Sequence, residues 1–276
     1  IELYSVTGGV PKYIELFSES SDIYRAIQKC VLNRSGYLYD EPHFLLQQEV
    51  SEVGSYFSII KAIAAGNHKL STIAAVLEVK STNLTKYLKT LMDLDILERR
   101  VPVTEENPEK SKRGLYKIKD NYLRFWFAFI YPNMSFIESG HSGIVMDKIR
   151  RGLTTSHIGF VYEDICQERM WELNVNNAWP FQFSKLGGYW DAKNEIDIAA
   201  LDPEGKNLIL GECKYWKEPV GLNVLHELEA KAGDVAWERD RRKVWYVLFS
   251  ISGFSDELRN HAATRDDLLL IDDGER

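Results

Sequence analysis

Two apolar runs joined by a Pro-Glu-Gly turn constrain this chain more than any other stretch. Residues 190–216 read WDAKNEIDIAALDPEGKNLILGECKYW. Residues 196–201 and 208–215 have the apolar content and length of strands, and Asp202-Pro203-Glu204-Gly205 has the composition of a tight reversal. Folding that hairpin brings Asp197 near Glu212. Side chains alternate along a strand, so Glu212 and Lys214 share a face and Cys213 points away. Two carboxylates and an ammonium group therefore converge on one patch. This is a donor set for a divalent cation held by oxygen, with a lysine beside the reacting water or phosphate. Glu195 shares the face of Asp197 and reads as a strand-edge charge, with a spare ligand as the alternative.

The flanking sequence gives this hairpin a context. Upstream, residues 157–171 carry Ile158, Val161, Tyr162, Ile165 and Met170 at helical spacing, with Glu163 among them. Downstream, Leu222, Leu225, Leu228 and Ala232 mark a second helix, and residues 244–250 (VWYVLFS) a buried strand. An acidic strand residue followed across a hairpin by E-x-K, in the order helix, three strands, helix, strand, resembles the PD-(D/E)XK nuclease superfamily. Here Glu195-Ile196-Asp197 stands where the superfamily's name has Pro-Asp, so the leading proline is absent. The resemblance implies a restriction-endonuclease-like αβββαβ domain that hydrolyses phosphodiesters. It implies Mg²⁺ (or Mn²⁺) held by Asp197 and Glu212, with Glu163 as a third acidic member. The Gly211 or Cys213 carbonyl would be a further ligand. Lys214 would position and help deprotonate the attacking water, or stabilise charge developing on phosphate.

With 276 residues the chain has length for about two domains. The apolar run 125–132 is too short to span a membrane and reads as a buried helix, and no signal peptide is visible. Cys30, Cys166 and Cys213 are odd in number and lack zinc or redox spacing, so a reducing cytoplasm is the expected compartment. The six His have no metal-ligand spacing, and no G-x-S-x-G elbow occurs. Charge is unevenly spread: residues 48–120 hold 12 basic and 10 acidic side chains, whereas residues 151–276 hold 15 and 23. An acidic nuclease-like half is compatible with metal binding, since metals offset carboxylates, but it weakens the case for strong unaided DNA affinity, which rests on clustered Lys and Arg.

The middle of the chain reads as three helices and a strand pair. Tyr56, Ile59, Ile60 and Ile63 form an apolar stripe ended by Gly66-Asn67. Ser71 is the expected cap of a short helix through Leu77. Ser81 and Thr82 are the expected caps of a third helix, whose core face is Leu84, Tyr87, Leu88 and Leu91. Strands follow at 96–101 and 115–118 around a polar loop. This is the composition of a winged helix. Its third helix would read DNA through Ser81, Asn83, Thr85, Lys86 and Lys89, and its wing would add Lys110, Lys112 and Arg113. Glu105, Glu106 and Glu109 dilute the wing, and protein docking is the alternative use. The aromatic run 121–129 (NYLRFWFAF) reads as core packing rather than a base-stacking platform.

The chain opens on Ile1 rather than Met, which suggests a fragment. Thr7-Gly8-Gly9-Val10-Pro11-Lys12-Tyr13-Ile14 resembles the T-G-G-x-P-x-Y-L segment in the helical lid of a group of prokaryotic AAA-type ATPases, with Ile for the usual Leu. In that group a winged helix and a PD-(D/E)XK-like domain follow. The resemblance implies ATP only through a missing N-terminal ATPase domain, because no G-x-x-x-x-G-K-[ST] loop is present here. The expected organisation is α+β / α/β and multidomain. Residues 1–47 form a lid end and connector, 48–135 a winged helix with its aromatic helix, and 136–276 the nuclease-like domain. The expected function is a metal-dependent DNA nuclease attached to an ATPase, with DNA and that ATPase domain as partners and no membrane. The alternatives are a nuclease fold that no longer cuts and serves as a regulatory binding module, or a winged-helix transcription regulator.

Overall fold

The computed structural model describes residues 1–274. The chain is mixed α and β, and it divides into two compact units. Residues 1–100 and 113–158 form the first, and residues 101–112 join 159–274 in the second.

The first unit is mainly helical. Its helices are α1 (Glu2–Thr7), α2 (Pro11–Ser18), α3 (Ile23–Cys30), α4 (Glu41–Glu49), α5 (Val53–Ala64), α6 (Leu70–Val76) and α7 (Ser81–Asp93). An antiparallel pair follows, β1 (Leu97–Arg100) with β2 (Leu115–Ile118), and then α8 (Asn121–Phe125), α9 (Met134–Glu138) and α10 (Ser142–Leu153). Gly8 and Gly9 lie at φ 61° and 78°, the left-handed region that glycine enters without a Cβ clash, and Pro11 then opens α2. The 121–129 run is core: Tyr122, Phe125 and Trp126 are fully buried. Their polar ends are satisfied, since Tyr122 donates to the Leu38 carbonyl and Trp126 Nε1 donates to the Tyr39 carbonyl at 3.0 Å.

Two local expectations are corrected. α6 begins at Leu70 with Lys69 as N-cap, and α7 begins at Ser81 with Lys80 as N-cap. Neither has a side-chain cap, so Ser71, Ser81 and Thr82 lie inside their helices. The unit boundary also differs from the division near residue 136. α10 belongs to the helical unit, where Gln28 Nε2 donates to Ser142 Oγ at 3.1 Å and Arg150 stacks over Tyr24 at 4.3 Å. Residues 101–112 go with the sheet unit, where Val103 N–H donates to the Gly188 carbonyl at 3.0 Å.

The second unit is a five-stranded sheet between helices. α11 (Gly159–Val175) leads to β3 (Lys185–Trp190), β4 (Glu195–Leu201) and β5 (Asn207–Lys214). Then come α12 (Leu222–Ala232), β6 (Lys243–Ser250), α13 (Asp256–Ala262) and β7 (Leu268–Asp272). The strand order is β3-β4-β5-β6-β7, antiparallel from β3 to β5 and parallel from β5 to β7. The parallel crossovers are α12 and α13, as parallel pairing requires. Central β5 is buried almost throughout. Its alternation sends Leu208 and Leu210 into a core with Val224, Leu225 and Leu228 of α12. Ile209 and Cys213 enter a second core with Tyr162, Cys166 and Met170 of α11. Among the described residues, no helix is long and apolar enough to cross a membrane.

Candidate active site

The β4–β5 ladder runs from Leu201↔Leu208 to Ile198↔Gly211 and stops there. One rung further on, the strands part, and side chains take over the pairing. Asp197 Oδ2 accepts the backbone N–H of Cys213 at 2.9 Å, so the carboxylate replaces a missing ladder acceptor. On the α11 side, Gln167 Nε2 donates to the Asp197 carbonyl at 3.2 Å.

Asp197, Glu212 and Lys214 meet at this point. Lys214 Nζ lies 2.5 Å from Glu212 Oε2 and 3.6 Å from Asp197 Oδ2. A second ammonium completes the group: Lys231, from the last turn of α12, donates to Glu212 Oε1 at 2.7 Å and to the Glu195 carbonyl at 2.9 Å. Glu212 is 6% exposed, so both of its oxygens are desolvated and both hold a lysine. Trp216 is exposed beside them, with Lys214 Nζ 5.7 Å from its ring centre.

Burial pushes the Asp197 carboxyl up to about 6, and the neighbouring Glu212 charge adds to the rise against Lys214 and the Cys213 N–H. Burial acts on Glu212 in the same direction, but Lys214 and Lys231 outweigh it and hold Glu212 below the usual carboxylate value. Burial would lower Lys214. The two carboxylates reverse that and keep it above its ordinary value, so it is an ammonium ion at neutral pH. The excess proton affinity of the cluster resides on Asp197. Buried carboxylates forced together in this way attract a proton or a metal cation.

Asp197, Glu212 and Lys214 are thus brought together as the hairpin requires. Glu163 sits half-buried on α11, near enough to help raise the buried Cys213 thiol. Among the described residues, no group of three or more His, Cys, Asp or Glu side chains is placed to hold a metal. Glu195 is exposed, and it contributes its carbonyl to Lys231. Sequence reasoning missed Lys231, because its 19-residue separation from Glu212 is bridged only when α12 packs on the sheet.

In the first unit, Asn83, Thr85, Lys86 and Lys89 are exposed on α7, and Ser81 is half-buried at its start. Arg113 is half-buried. Lys110 and Lys112 are exposed and belong to the segment grouped with the second unit.

An uncharacterized protein of Methanocaldococcus jannaschii, MJECL04, is 37% identical over 218 residues, which cover 79% of this chain and 48% of the relative. The chain thus spans about half the length of that curated relative. The crystal structure of protein VC1899 from Vibrio cholerae aligns over 88% of this chain and 54% of its own, at 13% identity and a TM-score of 0.29. Residues 126–232, which include Glu163, Asp197, Glu212, Lys214 and Lys231, match the DUF234 family, described as archaeal and bacterial proteins of unknown function.

Proposed function

We propose that the second unit is a PD-(D/E)XK-type nuclease that hydrolyses phosphodiesters in DNA with Mg²⁺ or Mn²⁺. The observation that carries this reading is the convergence of half-buried Asp197 and buried Glu212 on Lys214 at a point where the β4–β5 ladder opens. The donor chemistry fits the ion: two carboxylates are hard oxygen ligands, and Asp197, raised chiefly by burial and then by the Glu212 charge, is the carboxylate of the pair that gains by a closer cation. Asp197 and Glu212 would hold the cation, which would polarise phosphate and lower the pKa of a bound water. Lys214 is held protonated by its neighbours, so its part is to stabilise charge on the phosphate rather than to remove a proton. Gln167 and the Cys213 N–H orient Asp197. In the first unit, α5, α6, α7 and the β1–β2 pair are read as a winged helix, with Lys86 and Lys89 facing DNA phosphates. The 7–14 segment is read as lid material of a AAA-type ATPase that acts with these units in the intact protein.

The test is cleavage of plasmid, linear and single-stranded DNA with Mg²⁺ or Mn²⁺ by the wild type, Asp197→Ala and Lys214→Ala. Metal-dependent cutting is expected, with a loss of about 10²–10³-fold in Lys214→Ala. Equal cutting by that variant rejects the assignment.

A second reading has its own support. Both Glu212 oxygens already hold ammonium groups, so the cluster is internally neutral and is compatible with a nuclease fold that binds DNA or protein without cutting. Folded wild type that binds DNA but cleaves none, under any of these conditions, would favour it.

A further inference from the structure

Lys231 has a more specific part than a surface lysine. α12 buries Val224, Leu225, Leu228 and Ala232, and Lys231 borders that stripe in the last helical turn, where a cation also suits the helix C-terminus. Its side chain is 28% exposed. It bridges Glu212 Oε1 and the Glu195 carbonyl. The cluster then holds two carboxylates and two ammonium groups, which leaves no net charge for a dication to neutralise. A divalent ion that takes Glu212 must take an oxygen from one of the lysines.

Lys214 is the more firmly held of the two. It is 19% exposed, shared between Asp197 and Glu212, and set against the Trp216 ring. Lys231 is more exposed. It keeps the Glu195 carbonyl as an acceptor when it leaves Glu212, so its departure strands no buried charge. We propose that Lys231 is the resident counter-ion of the Asp197–Glu212 pair, which an incoming divalent cation displaces from Glu212. Lys231 thereby sets the metal concentration at which the site loads. This inference rests on the proposed metal site and adds a competing cation to it.

Direct Mn²⁺ titration, by calorimetry and by the electron paramagnetic resonance signal of free Mn²⁺, tests it without reference to cleavage. The proteins are wild type, Lys231→Met, Lys231→Gln, Lys231→Arg and Asp197→Asn. Removing the ammonium is expected to tighten Mn²⁺ binding about tenfold in the Met and Gln variants, the scale of one close charge interaction. Arg, which keeps the charge, is expected to bind no tighter than wild type. Two neutral variants keep the comparison open if one of them fails to fold. Asp197-dependent Mn²⁺ binding that is unchanged or weaker in the neutral variants overturns the role of Lys231 alone. Mn²⁺ binding that Asp197→Asn does not diminish, or none in any protein, overturns the metal site and Lys231's role together. Tighter binding without cleavage by any protein supports Lys231 and rejects only the nuclease reading.

Discussion

Asp197 is bonded to the backbone of the residue between Glu212 and Lys214: its Oδ2 accepts the Cys213 N–H at 2.9 Å. The carboxylate therefore cannot turn away from Glu212 without leaving a buried N–H unpaired, which costs about 1–3 kcal/mol. A stabilising backbone bond and a destabilising charge contact are fixed in the same side chain.

Asp197→Asn separates the two. Asn Oδ1 can still accept the Cys213 N–H, and its Nδ2 can donate to Glu212. Between about pH 4 and 6 the folded Asp197 keeps a proton that the unfolded chain has already released, so its contribution to stability falls as pH rises through that window. The Asn variant should therefore melt higher than wild type at pH 8, and the gap should narrow toward pH 4. It should also lose metal-dependent cleavage. A lower melting temperature at pH 8 would mean that Asp197 is not strained by its neighbour.

Gly211 is the last residue of the ladder before the site, and it has no room for a side chain. A Cβ there would lie 2.6 Å from Val247 Cγ1 and 2.9 Å from the Val247 carbonyl on β6. Gly211→Ala should cost about 1–3 kcal/mol by overpacking, and it should disturb Glu212 on the next position. Val247→Ala in the same chain should recover part of the loss in urea unfolding. An additive pair would show that the two positions do not share the strain.

The hairpin was legible because strand alternation is local: Leu208 and Leu210 against Ile209, with an Asp-Pro-Glu-Gly turn before them, fix which face Glu212 and Lys214 share. The aromatic burial of Tyr122 and Trp126 was legible from composition. What required three dimensions was long-range. Lys231 reaches Glu212 only by a crossover helix, and Val103 binds Gly188 across 85 residues of chain. The helix starts at Leu70 and Ser81 misled for another reason. Hydroxyl residues at helix N-termini are common caps, yet here lysines take the cap positions and the hydroxyls fall inside. The DNA contacts and the nuclease fold stay proposals, because neither the alternation of a strand nor the exposure of a lysine names a ligand.

The α7 lysines give the DNA reading a quantitative edge. Lys86 and Lys89 are exposed and three residues apart on one helix face. If each meets a phosphate, alanine at either should lower the salt slope of DNA binding by about 1 and weaken all sequences alike. Fluorescence anisotropy of a labelled duplex over a range of KCl concentrations measures this. A slope identical to wild type in the double variant would remove α7 from the interface.

His157 makes the first unit acid-sensitive. It is fully buried in a π-helical turn at Thr154–Ile158, with Phe125 and Phe129 against its ring. Its Nε2–H donates to the Ser5 carbonyl at 2.6 Å, while Nδ1 has no partner. Burial pushes the imidazole down to about 4, and although the Ser5 bond opposes this, Arg124 adds to it. The unfolded chain takes up this proton near pH 6.5 and the folded one only near 4, so stability falls as pH drops through that interval. The loss approaches about 3 kcal/mol below pH 4. His157→Gln keeps a donor for Ser5 and cannot titrate. It should start about 1 kcal/mol less stable at pH 7, through imperfect packing, and then lose less than wild type on acidification, so that the two cross at about pH 6 and His157→Gln is the more stable at pH 4.5. Urea unfolding at pH 7, 5.5 and 4.5 measures both curves, and parallel losses in the two proteins would place the acid sensitivity elsewhere.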